Sequence, residues 1–271
     1  MSKASDLNIN SITIYAVTSF PQLSKICETG EAFVEKGGDF VFDHTKIILQ
    51  EDDQFFYAKT DKRILGASPF NIDNLHPIKI PDDRLWPPAD PGFTRAPDPL
   101  PSSSYFKRPR LLNYDDSTFH LQILNEVKVC EVLRRHPHPN IAHYLGCVIK
   151  DNLIHGLGFA RYPISLSQLL RDGVPFDRDE CLRGIEAGMK HMHGLGLIHN
   201  DLNPSNVMMD GDHAVIIDFD SCKQEGQELG DKAGTYGWSL DDEVYAKREN
   251  DLYSFSRIQA ALNVPKVGIV D

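Results

Sequence analysis

Nothing in these 271 residues reads as a disulfide framework. The five cysteines, Cys27, Cys130, Cys147, Cys181 and Cys222, are far apart and form no CxxC pair. That excludes a cysteine-stapled secreted scaffold and fits reduced thiols. Long hydrophobic runs are missing too: no stretch reaches the roughly 18 apolar residues that a membrane helix needs. The opening residues, MSKASDLNIN, lack the apolar core of a signal peptide. Positive charge is scarce, with Lys+Arg at 28 against Asp+Glu at 39 and a formal net charge of −11. An acidic balance of this kind repels phosphate backbones and anionic lipid surfaces. The expectation is a soluble cytoplasmic protein, with a nuclear location left open, whose main partner is neither nucleic acid nor membrane. The oligomeric state is not encoded in any pattern.

What is present is ordinary globular material, 41% hydrophobic and 25% charged. Ser11–Thr18, Asp39–Phe42, Lys46–Gln50 and Gln54–Lys59 read as short strands, and a helix is expected over Gln22–Glu28, extending to Glu35 if Gly30 is tolerated. Prolines from Pro69 to Pro101 make regular helix improbable across Leu65–Ser104, with one short strand at Pro77–Ile80. Ser104–Leu111 reads as a strand closed by Pro109. A helix capped by Asp116 or Ser117 then runs to about Arg135, with Ile123, Val127 and Cys130 at buried-face spacing. Ile141–Val148 and Leu153–Ala160 follow as strands. A second long helix starts at Asp177, with Glu180 completing a capping box, and ends at Gly194. Its inner face carries Cys181, Ile185, Met189 and Met192.

The chemistry concentrates in Leu197–Asp220, LIHNDLNPSNVMMDGDHAVIIDFD. Val207–Met209 and Ala214–Ile217 are β-prone and flank an Asp-Gly turn, so they predict an antiparallel hairpin. A hairpin brings its outer ends together, which makes Asn206 and Asp218 neighbours, with Asp201 close by in a loop held by Pro204. Two carboxylates and an amide oxygen then converge at one mouth. Hard oxygen donors of that kind suit Mg²⁺, which takes its remaining ligands from water and phosphates.

At this point the sequence resembles the eukaryotic protein kinases. HNDLNPSN stands where that family has H-R-D-L-x-x-x-N, and Asp218-Phe219-Asp220 stands where it has D-F-G. Lys107 in SYFKRP occupies the place of the strand lysine, and Glu126 in NEVKVCEVLRRHPHPNIAHYLGC that of the helix glutamate, with Glu131 as the alternative register. Gly234–Trp238 is similar to the end of the activation segment, and Asp251 to the aspartate beneath the catalytic loop. The resemblance implies an α+β, two-lobed protein-kinase-like fold, with a mostly β N-lobe, a mostly α C-lobe, an N-terminal extension and a shortened C-lobe. Its domains would be residues 1–103 (a β-rich segment and proline-rich connector, partly N-lobe), 104–162 (N-lobe core) and 163–271 (abbreviated C-lobe).

The implied activity is transfer of the γ-phosphoryl of Mg-ATP to a serine or threonine hydroxyl of a protein. Asp201 would orient the hydroxyl and accept its proton, Asn206 and Asp218 would hold the metal, and Lys107, steadied by Glu126, would pair with the ATP phosphates. His199 and Phe219 would be buried supports. Departures from the pattern are equally legible. No GxGxxG precedes Lys107, Asn200 and Asn203 replace an arginine and a lysine, and Asp220 replaces a glycine. Tyr105 stands where the family usually has a small alanine, so its ring either fills nucleotide space or tilts aside. Two other readings stay open: a pseudokinase serving as a binding module, and a small-molecule phosphotransferase. A zinc site among His136, His138, His191 and His193 is not expected, because HPHP reads as a turn and alternate helix positions diverge.

Overall fold

The computed structural model describes residues 25–64, 75–230, 234–240 and 243–263. The expected strand at Ser11–Thr18 lies outside these residues. Two compact units divide the chain: residues 1–87 with 109–120, and residues 88–108 with 121–271.

The first unit holds an antiparallel sheet of β1 (Lys25–Lys36), β2 (Asp39–Glu51), β3 (Gln54–Thr60) and β4 (Ile78–Lys79), in that order, and the one-turn helix α1 (Asp82–Leu85). The helix expected from Gln22 through Glu28 or Glu35 is corrected here, since its described part belongs to β1. Local preference there is weak, and pairing decides: β1 and β2 are joined at Gly37-Gly38, both with positive φ, and pair from Lys36↔Asp39 to Lys25↔Gln50. Asp39–Phe42 and Lys46–Gln50 merge into the single strand β2. Ile26, Ile47, Leu49 and Ala58 form the core of this sheet. Gly30 lets the Leu112 side chain approach, because an added Cβ would stand 3.0 Å from it.

The second unit opens with an extended run that follows β6 (Tyr144–Lys150) through bonds between Cys147 and both Thr94 and Ala96. Gly146, with φ +131°, makes this approach possible, since a Cβ would sit 2.5 Å from the Ala96 nitrogen. β5 (Ser104–Lys107) and β7 (Leu153–Ala160) complete a three-stranded sheet in the order β5-β7-β6. Helix α2 (Phe119–Arg135) buries Ile123, Val127 and Cys130, the expected stripe. β6 begins later than expected, because Ile141 and Ala142 pair instead with Ile216.

β8 (Ile164–Ser165), α3 (Leu166–Asp172), α4 (Arg178–Gly194), β9 (Leu197–Ile198), β10 (Val207–Asp210), β11 (His213–Ile216), β12 (Lys223–Gln224) and α5 (Arg248–Asn263) follow. Asp177 caps α4, accepting from the Glu180 N–H at 2.9 Å, and Cys181, Ile185, Met189 and Met192 are buried as expected. β10 and β11 form the expected hairpin, with Val207↔Ile216 and Asp210↔His213 in register. Among the described residues no helix is long and apolar enough to cross a membrane.

Candidate active site

The loop after β9 is fastened from below by Asp251, a fully buried carboxylate on α5. Its Oδ2 accepts from the His199 N–H at 2.9 Å and from His193 Nε2 at 2.8 Å, and its Oδ1 accepts from the Asn200 N–H at 2.8 Å. Asn200 has φ +63°, a left-handed conformation that asparagine tolerates better than most residues. Its amide donates to the carbonyls of Ile198 and Ser221, both at 3.1 Å, in place of a cationic contact. His199 is buried, accepts at Nδ1 from the Asp201 N–H at 3.3 Å and donates from Nε2 to the Ile217 carbonyl at 3.0 Å. That pair of bonds fixes its tautomer. Phe219 is buried edge-on against the His199 ring, at 5.9 Å.

Asp201 is held on both oxygens. Oδ1 accepts from the Thr235 N–H at 2.9 Å, the Thr235 hydroxyl at 2.7 Å and Asn203 Nδ2 at 3.2 Å, while Oδ2 accepts from Asn206 Nδ2 at 3.0 Å. Burial pushes the Asp201 carboxyl above its ordinary value, and the Thr235 hydrogen bonds pull against that rise. Asn203 also caps the Pro204–Asn206 turn by accepting from the Ser205 N–H at 2.9 Å.

The hairpin places Asn206 beside Asp218. The Ile217 N–H donates to the Asn206 carbonyl at 3.0 Å, so the residues flanking this bond share the hairpin's open end. Asp218, with φ +65°, accepts at Oδ1 from Lys107 Nζ at 2.6 Å. The same ammonium donates to Glu126 Oε1 at 2.5 Å. Burial works against the Lys107 charge, but Glu126 and Asp218 outweigh it, and the lysine is held well above its ordinary value as a cation. Burial holds the Glu126 carboxyl above its ordinary value, and Lys107 opposes that rise only in part. Glu131, the alternative register, faces elsewhere: it accepts from the Thr94 N–H at 2.7 Å and the Thr94 hydroxyl at 2.9 Å.

The structure therefore joins Lys107, Glu126 and Asp218 in one cluster and Asp201 and Asn206 in a second. The Ile217–Asn206 bond links the two. Beside them lies a mostly apolar cavity of about 360 Å³, lined by Tyr105, Lys107, Ala142, Phe159, Met208, Ile217 and Asp218 among others. Motif spacing alone does not reveal Thr235 as a partner of Asp201, although the GTYGW signal contained it. Phe159 could have been found from strand register, since it stands opposite Tyr105.

As to a metal, no group of three or more His, Cys, Asp or Glu among the described residues could hold one. The oxygen donors here are one carboxylate and one amide. Lys107 engages Asp218 Oδ1, leaving Oδ2, and Asn206 spends its nitrogen on Asp201, leaving its carbonyl oxygen for a ligand. Two hard oxygens fit magnesium, which leaves its other positions to water and phosphate.

Comparison with known proteins defines the class. The family description "Protein kinase domain" matches residues 110–263, more than half of the chain, and the chain belongs to that family. The fold is accordingly of the α+β kinase class, and Lys107 lies just ahead of the matched span. The chain is 34% identical to the receptor-interacting serine/threonine-protein kinase 3 of Rattus norvegicus over 49% of its own length and 32% of that protein's. Against the serine/threonine-protein kinase/endoribonuclease IRE1 of Hypocrea jecorina the figures are 26%, 49% and 12%. Against the sperm motility kinase 2B of Mus musculus they are 31%, 48% and 27%. The chain thus spans well under half the length of these relatives. A solved yeast RNA polymerase II CTD kinase complex contains a chain 18% identical, with a TM-score of 0.46, covering 54% of this chain and 51% of that one.

Proposed function

We propose that this protein transfers the γ-phosphoryl group of Mg-ATP to a serine or threonine hydroxyl of a protein. The observation that carries the reading is the Lys107 ammonium, bonded to Glu126 and Asp218 at the edge of the cavity. A cation fixed in this way can engage phosphate oxygens without rearranging. The apolar walls take the base, and Asp218 with Asn206 offers the metal its protein ligands. Magnesium, when bound, supplies neutralisation of phosphate charge. Asp201 Oδ2 carries a single donor against three on Oδ1, so it is the more basic oxygen and the one that accepts the hydroxyl proton.

Little covalent chemistry is asked of the protein in such a transfer; positioning and charge account for most of it. The kinase family generally uses ATP and magnesium, and the named relatives include serine/threonine kinases, which supports the choice of acceptor. Action in the cytoplasm belongs to the same proposal.

The test is transfer of labelled γ-phosphate from ATP to a generic basic protein. Wild type is expected to label it, and Asp201→Ala to label at least 100-fold less while remaining folded by circular dichroism. Labelling by Asp201→Ala at the wild-type rate would overturn the assignment. A pseudokinase is the second reading. It is favoured by β5, which among the described residues pairs with β7 and with no other strand, so that none of them forms a strand hairpin over the cavity in this sheet. That reading predicts no labelling by wild type.

A further inference from the structure

The chain that joins Lys107 to Glu126 leaves the unit in which both lie. Residues 109–120 belong to the first unit, so only Arg108 separates Lys107 from it. Helix α2 begins in that unit at Phe119 and carries Glu126 about two turns on. Within the first unit the stretch is held on several sides. Leu111 and Leu112 are buried in a single 3₁₀ turn over Leu111–Asn113, and Tyr114 lies against Tyr57 of β3 with ring centroids 5.5 Å apart. The first amides of such a turn find no acceptor within it. Glu28 of β1 supplies one to each: Oε1 accepts from the Leu111 N–H at 3.0 Å and Oε2 from the Leu112 N–H at 3.1 Å. A bulge aims that carboxylate. β1 pairs Ile26 with Leu49 but Glu28 with Ile48, so Cys27 is an extra residue. Neighbouring positions of β2 point to opposite faces. The bulge therefore turns Glu28 away from Ile26, Ile47 and Leu49, the apolar core of the sheet, and onto the face of Gly30, where Leu112 packs. Unbroken alternation would put the carboxylate on the core face, where its charge is costly.

We propose that Glu28 is a positioning residue for the phosphate-binding centre, and that the β1–β4 sheet is the clamp through which it acts on the Lys107–Glu126 ion pair. Both partners of that pair are continuous with the clamped stretch, so freedom in the stretch becomes freedom in the pair. Fixing it before nucleotide arrives spares the entropy of ordering the cation at the moment of binding. β1 lies ahead of the family match, which begins at residue 110, so the device belongs to the chain's own N-terminal sheet. The inference rests on the nucleotide reading above and adds to it a residue that acts only through Lys107 and Glu126.

The experiment is calorimetric titration of the full chain with Mg-ATP in wild type, Glu28→Ala, Glu126→Ala and the double variant, with circular dichroism checking that each is folded. Glu28→Ala should weaken Mg-ATP binding about five-fold. Glu126→Ala should weaken it too, and adding Glu28→Ala to Glu126→Ala should weaken it no further, because the pair that Glu28 positions is already broken. A merely structural role does not produce that coupling. Glu28→Gln keeps one acceptor oxygen, and its affinity should fall between those of Glu28→Ala and wild type. Should Glu28→Ala fail to fold, Glu28→Gln takes its place in the cycle and the same results decide. Wild-type affinity in the Glu28 variant, or an equal loss with and without the Glu126 side chain, would overturn the proposal. Absence of ATP binding by wild type would remove the nucleotide reading itself, a result distinguishable from the other two.

Discussion

Lys107 bonds two carboxylates, and removing it does not remove their burial. Glu126 is 5% exposed, and a carboxylate left without its partner at such a depth is costly. Lys107→Met should therefore lower unfolding stability by about 3 kcal/mol, and adding Glu126→Leu should recover much of that loss. Chemical denaturation of the single and double variants measures it; additive losses would mean the two residues are not coupled. Asp201 gives a second prediction at this scale. Because burial raises its carboxyl, the base form appears only at higher pH, so the acid limb of kcat/KM should lie above the ordinary aspartate value of about 3.9. Thr235→Val removes a hydrogen bond that favours the charged form, and the limb should move further up. A pH–rate profile whose limb stays put or moves down in Thr235→Val would contradict this.

Elements were legible in proportion to how local their signals are. Helix α4 announced itself through Asp177, Glu180 and a clean apolar stripe. Asp177→Ala should cost about 1 kcal/mol in stability, read from the denaturation midpoint, with no loss of cap geometry at the far end. The β10–β11 hairpin was equally readable, and it delivered Asn206 beside Asp218 because two-residue alternation and an Asp-Gly turn leave little choice of register. Residues 25–35 read as helix from sequence but form β1, because the signal for the strand is its partner: Phe33 faces Phe42 across the pair, with ring centroids 6.2 Å apart, and nothing within the segment's own sequence announces that. Of the site, Lys107, Glu126, Asp201, Asn206 and Asp218 could be picked from ordered motifs. The Thr235 clamp and the walls contributed by Ala142 and Met208 could not, since they depend on side-chain direction in segments far apart in the chain.

At the scale of the whole molecule, the family match covers residues 110–263, while the β1–β4 sheet precedes it and its fold was only partly legible. The net charge of −11 suits the proposed site, in which a single half-buried lysine, rather than a basic surface, would meet the phosphates. The central claim is that this lysine, with Asp218 and Asn206, forms one site for a magnesium-bound nucleotide. A ligand that binds only the folded chain must stabilise it, by about 2.7 kcal/mol at a hundred-fold excess over Kd. The measurement is the melting temperature of the full chain with millimolar ATP, with and without magnesium, in wild type and Asp218→Asn. The account predicts a magnesium-dependent rise in wild type that Asp218→Asn abolishes; an unchanged melting temperature in wild type, or the same rise in both proteins, would contradict it.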